Sequence, residues 1–491
     1  MTVSEARAGD LFACALRDHS AGRLHEAYLL CLEIIARAPE HAESHHLLGV
    51  ISYQLGRNEE AIALILQAIL LDCRVPEAHN NLGHVYTVSG RLVEAAAQLG
   101  QALALKPDYA DAHNNLGNVF KNQGRLDEAA ACYERVLTFK PNHVEACSNL
   151  GTVLLEQGDL AGAVMRLRQS LAFRPDAAAT HAILATALAE QGQLDDALAE
   201  FEQALALKPD DAQVRIALGV LLARCGRKDA ARRHFRYCLE RDAADCHGAG
   251  LQLARLGCEP VPARASEAFI TRLYASRGTP GGQTYRGAEL VARMLAQVLA
   301  PSVRSPSERT PSERSPSERP DILDAGCGTG GVGRLIHNLA NRLDGVDISP
   351  AMLKMAEESG VYANLTHQDM VAYINDRPHS YDVITCAATL IHFGDLEPVF
   401  FAVAKSLREG GVFVFTVFPN QDDGNTSNAG GDYRVDSFDG LVPEGCFVHS
   451  EPYLLRLVER HGFRVELLLN DMHEYKPGRT RSVLVAALRR L

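Results

Sequence analysis

The chain has no tryptophan, and aromatic residues make up only 6% of its 491 residues. It also lacks an excess of basic residues, since 49 lysines and arginines stand against 61 aspartates and glutamates and give a formal net charge of −12. A net anionic protein offers no general attraction to a phosphate backbone. Nucleic acid is therefore not an expected partner.

Long apolar runs are absent as well. The longest, AIALILQAILL at residues 61–71, is far shorter than the ~20 residues that a membrane-spanning helix needs. The opening residues MTVSEARAGD contain neither the basic nor the apolar stretch of a secretory signal peptide. We therefore expect no membrane segment and a cytoplasmic protein.

The twelve cysteines include no C-x-x-C pair and no close cluster. Such scattered thiols are typical of free cysteines in a reducing compartment, and they argue against a disulfide framework or a zinc site. The composition, 47% hydrophobic and 22% charged, is that of a globular protein, and the length suffices for several domains.

A 34-residue period runs through about half of the chain. One column of the repeat contains Leu48, Leu82, Leu116, Leu150, Leu184 and Leu218, and another contains Gly56, Gly90, Gly124, Gly158, Gly192 and Gly226. Each unit predicts a helix, a short turn with glycine, a second helix and an exit that proline often marks. We count seven units over residues 8–245.

This pattern resembles the tetratricopeptide repeat, which implies an all-α superhelix whose concave groove holds an extended peptide or protein segment. Asn81, Asn115 and Asn149 recur once per unit and are similar to the asparagine ladder of O-linked N-acetylglucosamine transferases. That likeness implies amides that grip the backbone of a bound partner. The alternative is that these asparagines cap or stabilise the repeat turns.

A further column, made of His45, His79, His113 and His181, suggests a metal site, but geometry argues against one. Equivalent residues of stacked helices lie at least one interaxial spacing of ~8–10 Å apart, whereas zinc binds nitrogen at ~2.0–2.1 Å. We therefore expect these histidines to pack between helices, and we expect no metal site.

The repeat ends after residue 245. Residues 246–303 indicate a helical connector and an N-terminal cap for the next domain, and residues 304–320, RSPSERTPSERSPSERP, form a low-complexity insert that cannot bury a core. From residue 321 to residue 491, strands alternate with helices. This alternation predicts a mostly parallel sheet with ligands at the carboxyl ends of its strands.

The stretch LDAGCGTGGVG, residues 323–333, follows the first of these strands and allows two interpretations. As G-x-G-x-x-G it is a dinucleotide fingerprint, whose bare backbone amides bind a pyrophosphate. As D-x-G-x-G-x-G it holds a different nucleoside. Asp324 stands in the loop, and Asp347 and Asp369 follow the next two strands, so that a ring of hydrogen-bond acceptors disfavours an anionic ligand.

S-adenosylmethionine is a cationic nucleoside without phosphate, and it suits these acids. Five segments in order, LDAGCGTG, GVDIS, HQDM, YDVITCAATLIHF and LREGGVFVFTVF, resemble a class I S-adenosylmethionine-dependent methyltransferase, whose fold is Rossmann-like α/β. With the repeats included, the whole chain resembles the bacterial tetratricopeptide-repeat methyltransferases. We therefore expect a multidomain protein, an all-α superhelix followed by an α/β domain.

The resemblance implies roles for individual residues in binding this donor. It implies that Asp324, Gly326, Gly328 and Gly330 bind the methionine end, that Asp347 binds the ribose, and that Asp369 and Met370 bind the adenine. Cys327 and Ile348 also belong to the implied donor-binding residues. Tyr285, in the segment YRGAEL before the first strand, is expected to close over the donor.

Methyl transfer is an in-line displacement in which alignment and exclusion of water supply most of the acceleration. A base is needed only for an acceptor that must first lose a proton. His392, in TLIHFGD after the fourth strand, is the first candidate, and His449 is the second. The alternatives are that His392 only shapes the pocket, and that the segment of His449 serves to place Ser450 as a helix N-cap.

Three functions stay open from the sequence. The first is a methyltransferase whose repeats recruit a protein or peptide, as substrate or as the carrier of one, with a small metabolite as the alternative acceptor. The second is a repeat adaptor with a vestigial or regulatory nucleoside-binding domain, and the third is a nicotinamide oxidoreductase. The intact set of donor motifs favours the first.

Overall fold

The computed structural model describes residues 3–275, 286–299, 319–420, 432–438, 442–476 and 479–491. Contacts between residues divide the chain into two compact units, Met1–Leu207 and Lys208–Leu491. The division falls before the last predicted repeat, so the helix pair of that repeat lies in the second unit. The domain limits inferred from the sequence stay a prediction.

The first unit is an array of paired helices. They are α1 (Val3–Ser20), α2 (Leu24–Arg37), α3 (Ala42–Gln54), α4 (Asn58–Leu71), α5 (Pro76–Val88), α6 (Leu92–Leu105), α7 (Ala110–Asn122), α8 (Leu126–Phe139), α9 (Val144–Gln157), α10 (Leu160–Phe173), α11 (Ala178–Glu190) and α12 (Leu194–Leu207). The turn inside each pair contains a glycine with positive φ, such as Gly56 (78°) and Gly90 (76°). Glycine adopts this conformation at little steric cost, which explains this column of the repeat.

A second glycine column lets the two helices of a pair approach each other. A Cβ atom on Gly83 would lie 2.6 Å from Leu99 Cγ, and one on Gly117 would lie 2.6 Å from Tyr133 Cε1. Both distances are well below the ~3.5–4.0 Å of an ordinary contact between carbon atoms. Glycine at these positions therefore sets the spacing of the paired helices.

In the described residues, the second unit begins with five helices and continues into a sheet. The helices are α13 (Ala212–Arg224), α14 (Lys228–Arg241), α15 (Ala249–Arg255), α16 (Glu267–Ala275) and α17 (Gly287–Leu299). Leu290, Val291 and Met294 of α17 are buried in the same core cluster as Ile322 and Val483 of the sheet. Helix α17 therefore covers one face of the sheet.

The remaining elements alternate between strands and helices. The strands are β1 (Asp321–Ala325), β2 (Arg342–Asp347), β3 (Asn364–His367), β4 (Tyr381–Cys386), β5 (Leu407–Val417), β6 (Tyr433–Phe438), β7 (Val442–His449), β8 (Phe463–Lys476) and β9 (Arg479–Arg490). The helices are α18 (Gly331–Ile336), α19 (Pro350–Glu358), α20 (Met370–Asn375), α21 (Glu397–Ser406) and α22 (Glu451–Arg460).

Seven of these strands form one mixed sheet in the order β3-β2-β1-β4-β5-β9-β8, while β6 and β7 pair separately. Strands β1 to β5 are parallel, and β9 and β8 run antiparallel at one edge. Helical repeats followed by a Rossmann-like α/β domain confirm the predicted fold class.

Both faces of the central strands are buried. Along β5, Val412 and Val414 belong to the cluster under α17, whereas Phe413 and Phe415 belong to the opposite cluster with Phe400 of α21. A strand that is covered on both sides needs an unbroken apolar run, as GGVFVFTVF provides. In the described part of the chain, no helix is long and apolar enough to cross a membrane.

Candidate active site

The glycine loop follows β1 and lies beside the end of β2. Ala325 pairs with Val346 in parallel register, and the Gly326 N–H donates to the Val346 carbonyl at 2.8 Å. Gly326, Gly328 and Gly330 have φ values of 72°, 53° and 82°. Because L-residues are strained in this region, the backbone of the loop favours glycine at all three positions.

A cavity of about 380 Å³ lies between this loop and the loop after β4. Its volume is in the range of small-molecule sites, ~300–1,000 Å³. Of the residues predicted to bind the donor, the lining contains Gly326, Cys327, Gly328, Asp347, Ile348, Asp369 and Met370. The sequence motifs thus converge on one site, although they come from three separate strand ends.

Two residues of the predicted set lie outside the lining, and a third lies outside the described residues. Gly330 is the N-cap residue of α18, and Asp324 lies under the loop; neither belongs to the lining of the cavity. Tyr285 lies outside the described residues, so the structure says nothing of its expected contact with the donor.

Asp347 ends β2 and faces the cavity. Its Oδ2 accepts the N–H of Gly328 and its Oδ1 accepts the N–H of Ser349, both at 2.8 Å. Burial raises the pKa of Asp347, although three backbone amides oppose the rise. The Gly328 amide, which a dinucleotide loop would present to a pyrophosphate, is thus already taken by a carboxylate.

Asp324 is a buried support of the loop, because only 1% of it is exposed. The Tyr362 hydroxyl donates to its Oδ2 at 2.7 Å, and the Thr385 hydroxyl donates to its Oδ1 at 3.1 Å. Burial raises the pKa of this carboxyl to about 6. A carboxyl enclosed in this way supports the loop through buried hydrogen bonds, and the expected contact of Asp324 with the methionine end stays a prediction.

Asp369 is the N-cap of α20 and belongs to the lining of the cavity. One of its carboxylate oxygens is paired with Arg264. Its Oδ1 accepts the N–H of Ala372 at 3.0 Å, and its Oδ2 accepts from Arg264 Nη1 at 2.8 Å. Met370 follows as the first residue of α20 and is buried. The arginine partner of Asp369 was not expected from the sequence, and the contact of Asp369 with the adenine stays a prediction.

His392 ends a short 3₁₀ turn after β4 and lies in the wall of the cavity. Its side chain is 3% exposed, and its Nε2 lies 2.8 Å from the hydroxyl oxygen of Tyr274, which lines the same cavity. The two rings meet edge to face with centroids 5.6 Å apart. The structure therefore places a histidine and a tyrosine in contact within the wall of the cavity, and the role of His392 as a base stays a prediction.

His449 is fully buried at the end of β7 and does not belong to the lining of the cavity. Its Nε2 lies 2.8 Å from the Phe393 carbonyl and 3.2 Å from the Gly394 carbonyl. Burial lowers the pKa of His449 to about 4. Ser450 is the N-cap of α22, which agrees with the alternative interpretation of this segment, and a contact of His449 with substrate stays a prediction.

Part of the cavity wall was missed from the sequence. Arg264, Ile270 and Tyr274 come from the connector before the sheet, in a stretch that no motif singles out. Backbone hydrogen bonds fix this stretch to the loop after β4, since the Ala265 N–H donates to the His392 carbonyl at 2.8 Å and Gly394 donates to the Ala263 carbonyl at 2.7 Å.

In the first unit, the asparagine column joins neighbouring repeats. The Nδ2 atoms of Asn81, Asn115 and Asn149 lie 2.9, 2.9 and 3.1 Å from His46 Nε2, Asn80 Oδ1 and Asn114 Oδ1, one repeat earlier. These bonds favour the stabilising role, and a role in holding a partner stays a prediction.

The histidine column is also engaged in hydrogen bonds. The Nε2 atoms of His45, His79, His113 and His181 lie 2.9 to 3.0 Å from the carbonyl oxygens of Pro39, Cys73, Pro107 and Pro175. Each imidazole thus closes the turn that precedes its own helix.

Comparison with known proteins agrees with this organisation. The family model of a methyltransferase domain matches residues 286–468, and models of the tetratricopeptide repeat match segments within residues 20–226. The chain combines tetratricopeptide repeats with a methyltransferase domain. Arg264, Ile270 and Tyr274 precede the matched methyltransferase segment.

Curated relatives that are similar to part of this chain are methyltransferases. The ubiquinone biosynthesis O-methyltransferase of Nitrosospira multiformis is 31% identical over 136 residues, which are 27% of this chain and 55% of that protein. Its counterpart in Cupriavidus pinatubonensis is 36% identical over 104 residues, or 20% of this chain and 42% of that protein. The chain thus spans about half the length of these relatives.

Solved structures are similar to the repeat part. The pilF protein of Pseudomonas aeruginosa has a TM-score of 0.40 at 18% identity, covering 43% of this chain and 96% of that one. YrrB, described as a tetratricopeptide-repeat protein with an unusual peptide-binding site, has a TM-score of 0.31 at 22% identity and covers 37% and 93%.

Proposed function

We propose that the methyltransferase domain transfers a methyl group from S-adenosylmethionine, and that the repeats over residues 8–245 recruit a protein or peptide. The observation that carries the donor assignment is the pair of carboxylates, Asp347 and Asp369, in the lining of a cavity floored by glycines. Arg264 and Arg334 of the same lining balance the charge of these carboxylates, so the donor assignment depends on their oxygens as hydrogen-bond acceptors for ligand hydroxyl and amino groups.

The residues present fit this donor. Gly328 lies against the cavity with no atom within 4 Å of the place where a Cβ would be, so that a ligand can approach its backbone. Asp347 would accept the ribose hydroxyls, and Asp369 with Met370 would bind the adenine. Asp324 would keep the loop in place from beneath rather than bind the methionine end.

The donor supplies a methyl group that is activated by a sulfonium. The chain's own contribution would be to orient the acceptor and exclude water, and the buried wall formed by His392, Phe393 and Ile270 supports that role. For an acceptor that must lose a proton, His392 would hold that proton, with Tyr274 in hydrogen-bond contact at 2.8 Å. The alternative is that His392 only shapes the wall.

A small-molecule acceptor is the second candidate. The names of the curated relatives refer to ubiquinone biosynthesis, and their matches cover 27% and 20% of this chain. Fractionation separates the two acceptors: the full-length protein is incubated with labelled donor and with cell extract split at about 10 kDa by filtration. Label in the large fraction supports recruitment of a protein, and label in the small fraction supports a metabolite.

Donor binding is tested by calorimetry with S-adenosylmethionine. Asp347→Asn should weaken binding at least tenfold, since hydrogen bonds to a charged group contribute about 1.5–3 kcal/mol. Asp376→Asn, an exposed carboxylate just after α20 and outside the lining, is the matched control and should bind as the unchanged protein does. No binding to the unchanged protein would refute the proposal. Binding without any turnover in extract would favour the adaptor.

A further inference from the structure

Residues 263–265, here called the strap, connect the cavity to the part of the chain that precedes the methyltransferase match. Arg264 forms an antiparallel bridge with Phe393, and the N–H groups of Gly394 and Asp395 both donate to the Ala263 carbonyl, at 2.7 and 2.8 Å. The strap is thus held by backbone hydrogen bonds, and the start of the Arg264 side chain is fixed beside the loop after β4.

The guanidinium of Arg264 spans two carboxylates. Nη1 donates to Asp369 Oδ2 at 2.8 Å, while Nη2 donates to Glu267 Oε1 at 2.5 Å. The Asp369 side chain is 22% exposed and the Glu267 side chain is 58% exposed. Of the two partners, only Asp369 belongs to the lining of the cavity.

A ligand that covers Asp369 would remove much of its remaining water. An ionised carboxylate that loses water is stabilised only when hydrogen bonds or an opposite charge replace it. Arg264 supplies both, and with the Ala372 amide it fixes the two oxygens in one orientation. A carboxylate fixed before binding loses less side-chain freedom when a donor group reaches it.

We propose that Arg264 is a positioning residue for the purine end of the donor: by pairing with Asp369 it holds that carboxylate ready for the 6-amino group. This inference rests on the proposed function, in which Asp369 accepts from the adenine. It adds a determinant of donor affinity that lies outside the segment matched by the methyltransferase family.

Two ligands and two variants of the full-length chain test the proposal. The ligands are S-adenosylhomocysteine and its analogue in which hydrogen replaces the purine 6-amino group, and calorimetry gives each Kd. Arg264→Gln should weaken S-adenosylhomocysteine about tenfold and change the Kd of the analogue less than about twofold, because only the first ligand uses Asp369 as an acceptor. Glu267→Gln removes the other ion pair of the same guanidinium and should change both Kd values less than about twofold.

The outcomes separate this inference from the proposed function. If Arg264→Gln weakens both ligands equally, or neither, Arg264 does not act through Asp369 and the proposal is overturned. If the unchanged protein binds neither ligand, the proposed function fails, and this inference fails with it. Should Arg264→Gln not fold by circular dichroism, Arg264→Lys keeps the charge without the fork and is expected to show a smaller loss for S-adenosylhomocysteine alone.

Discussion

Replacing Gly328 by alanine should separate binding of the donor from stability of the fold. Gly328 has a φ of 53°, lines the cavity, and has no atom within 4 Å of an added Cβ. The left-handed conformation costs an L-residue about 1–2 kcal/mol, and that is the expected loss in free energy of unfolding. The methyl group meets nothing in the chain, and we expect it to project into the cavity.

The effect on affinity follows from the same geometry. A Cβ extends about 1.5 Å from Cα, the length of a carbon–carbon bond. A ligand in contact with the Gly328 backbone at ~3.5–4.0 Å would therefore have to move by about 1 Å or more. Forcing an extra methyl group into a packed contact typically costs about 1–3 kcal/mol, so Gly328→Ala should weaken binding of S-adenosylmethionine roughly ten- to a hundredfold in calorimetry.

Two other glycines provide the controls. Gly360, with a φ of 64° and open space around it, lies outside the lining, so Gly360→Ala should lose similar stability and bind the donor normally. At Gly326 an added Cβ would lie 2.1 Å from Thr389 Oγ1, and Gly326→Ala should lose more stability than either. A folded Gly328→Ala that binds the donor as tightly as Gly360→Ala would refute the placement of the ligand against this loop.

Three further predictions concern stability. Burial raises the pKa of Asp324 to about 6, above the ~3.9 of an unfolded chain, so its contribution to the free energy of unfolding is full below about pH 4 and is lost as the pH rises through about 6. In urea unfolding, Asp324→Asn should remove roughly 3 kcal/mol of this pH dependence of stability. An unchanged pH profile would contradict the burial of this carboxyl. The pH dependence of stability from His449 has the opposite sign, because its pKa is lowered to about 4. Its contribution to the free energy of unfolding is present above about pH 6.5 and is lost as the pH falls through about 4. His449→Gln keeps a donor for the carbonyls and should reduce this loss of stability at low pH. Asn149→Ala removes bonds to Asn114 and Asn118 and should lower the free energy of unfolding of the first unit by about 1–2 kcal/mol, measured by circular dichroism; a change confined to partner binding would instead show that the amide acts on a ligand.

Much of the site was predictable because it depends on local pattern. Three glycines in one loop indicate a backbone conformation that only glycine adopts easily. Acids that follow successive parallel strands come together at one edge of the sheet. The presence of Asp347 and Asp369 at one site could therefore be predicted from their positions in the sequence alone. The period of 34 residues likewise predicts paired helices, because the glycine columns serve a turn and a close approach within each pair.

The remaining features depend on contacts between distant residues. Asp324 is held outside the lining of the cavity by hydrogen bonds from Tyr362 and Thr385, which lie 38 and 61 residues further along the chain. His449 is enclosed by the carbonyl of Phe393, 56 residues away. Arg264 meets Asp369 across 105 residues and belongs to no motif. A single sequence carries no signal for such pairs, since each residue has its role only through its partner.

The backbone bonds of the strap bear on how this protein can be divided. A fragment that starts at residue 286, where the family match starts, would retain the glycine loop and both carboxylates of the cavity. It would also lose the guanidinium beside Asp369, the tyrosine beside His392 and the strand partner of Phe393. We expect the cavity of such a fragment to lack one part of its wall. Weak activity of the fragment would therefore be a result of the truncation and would not represent the activity of the full-length protein.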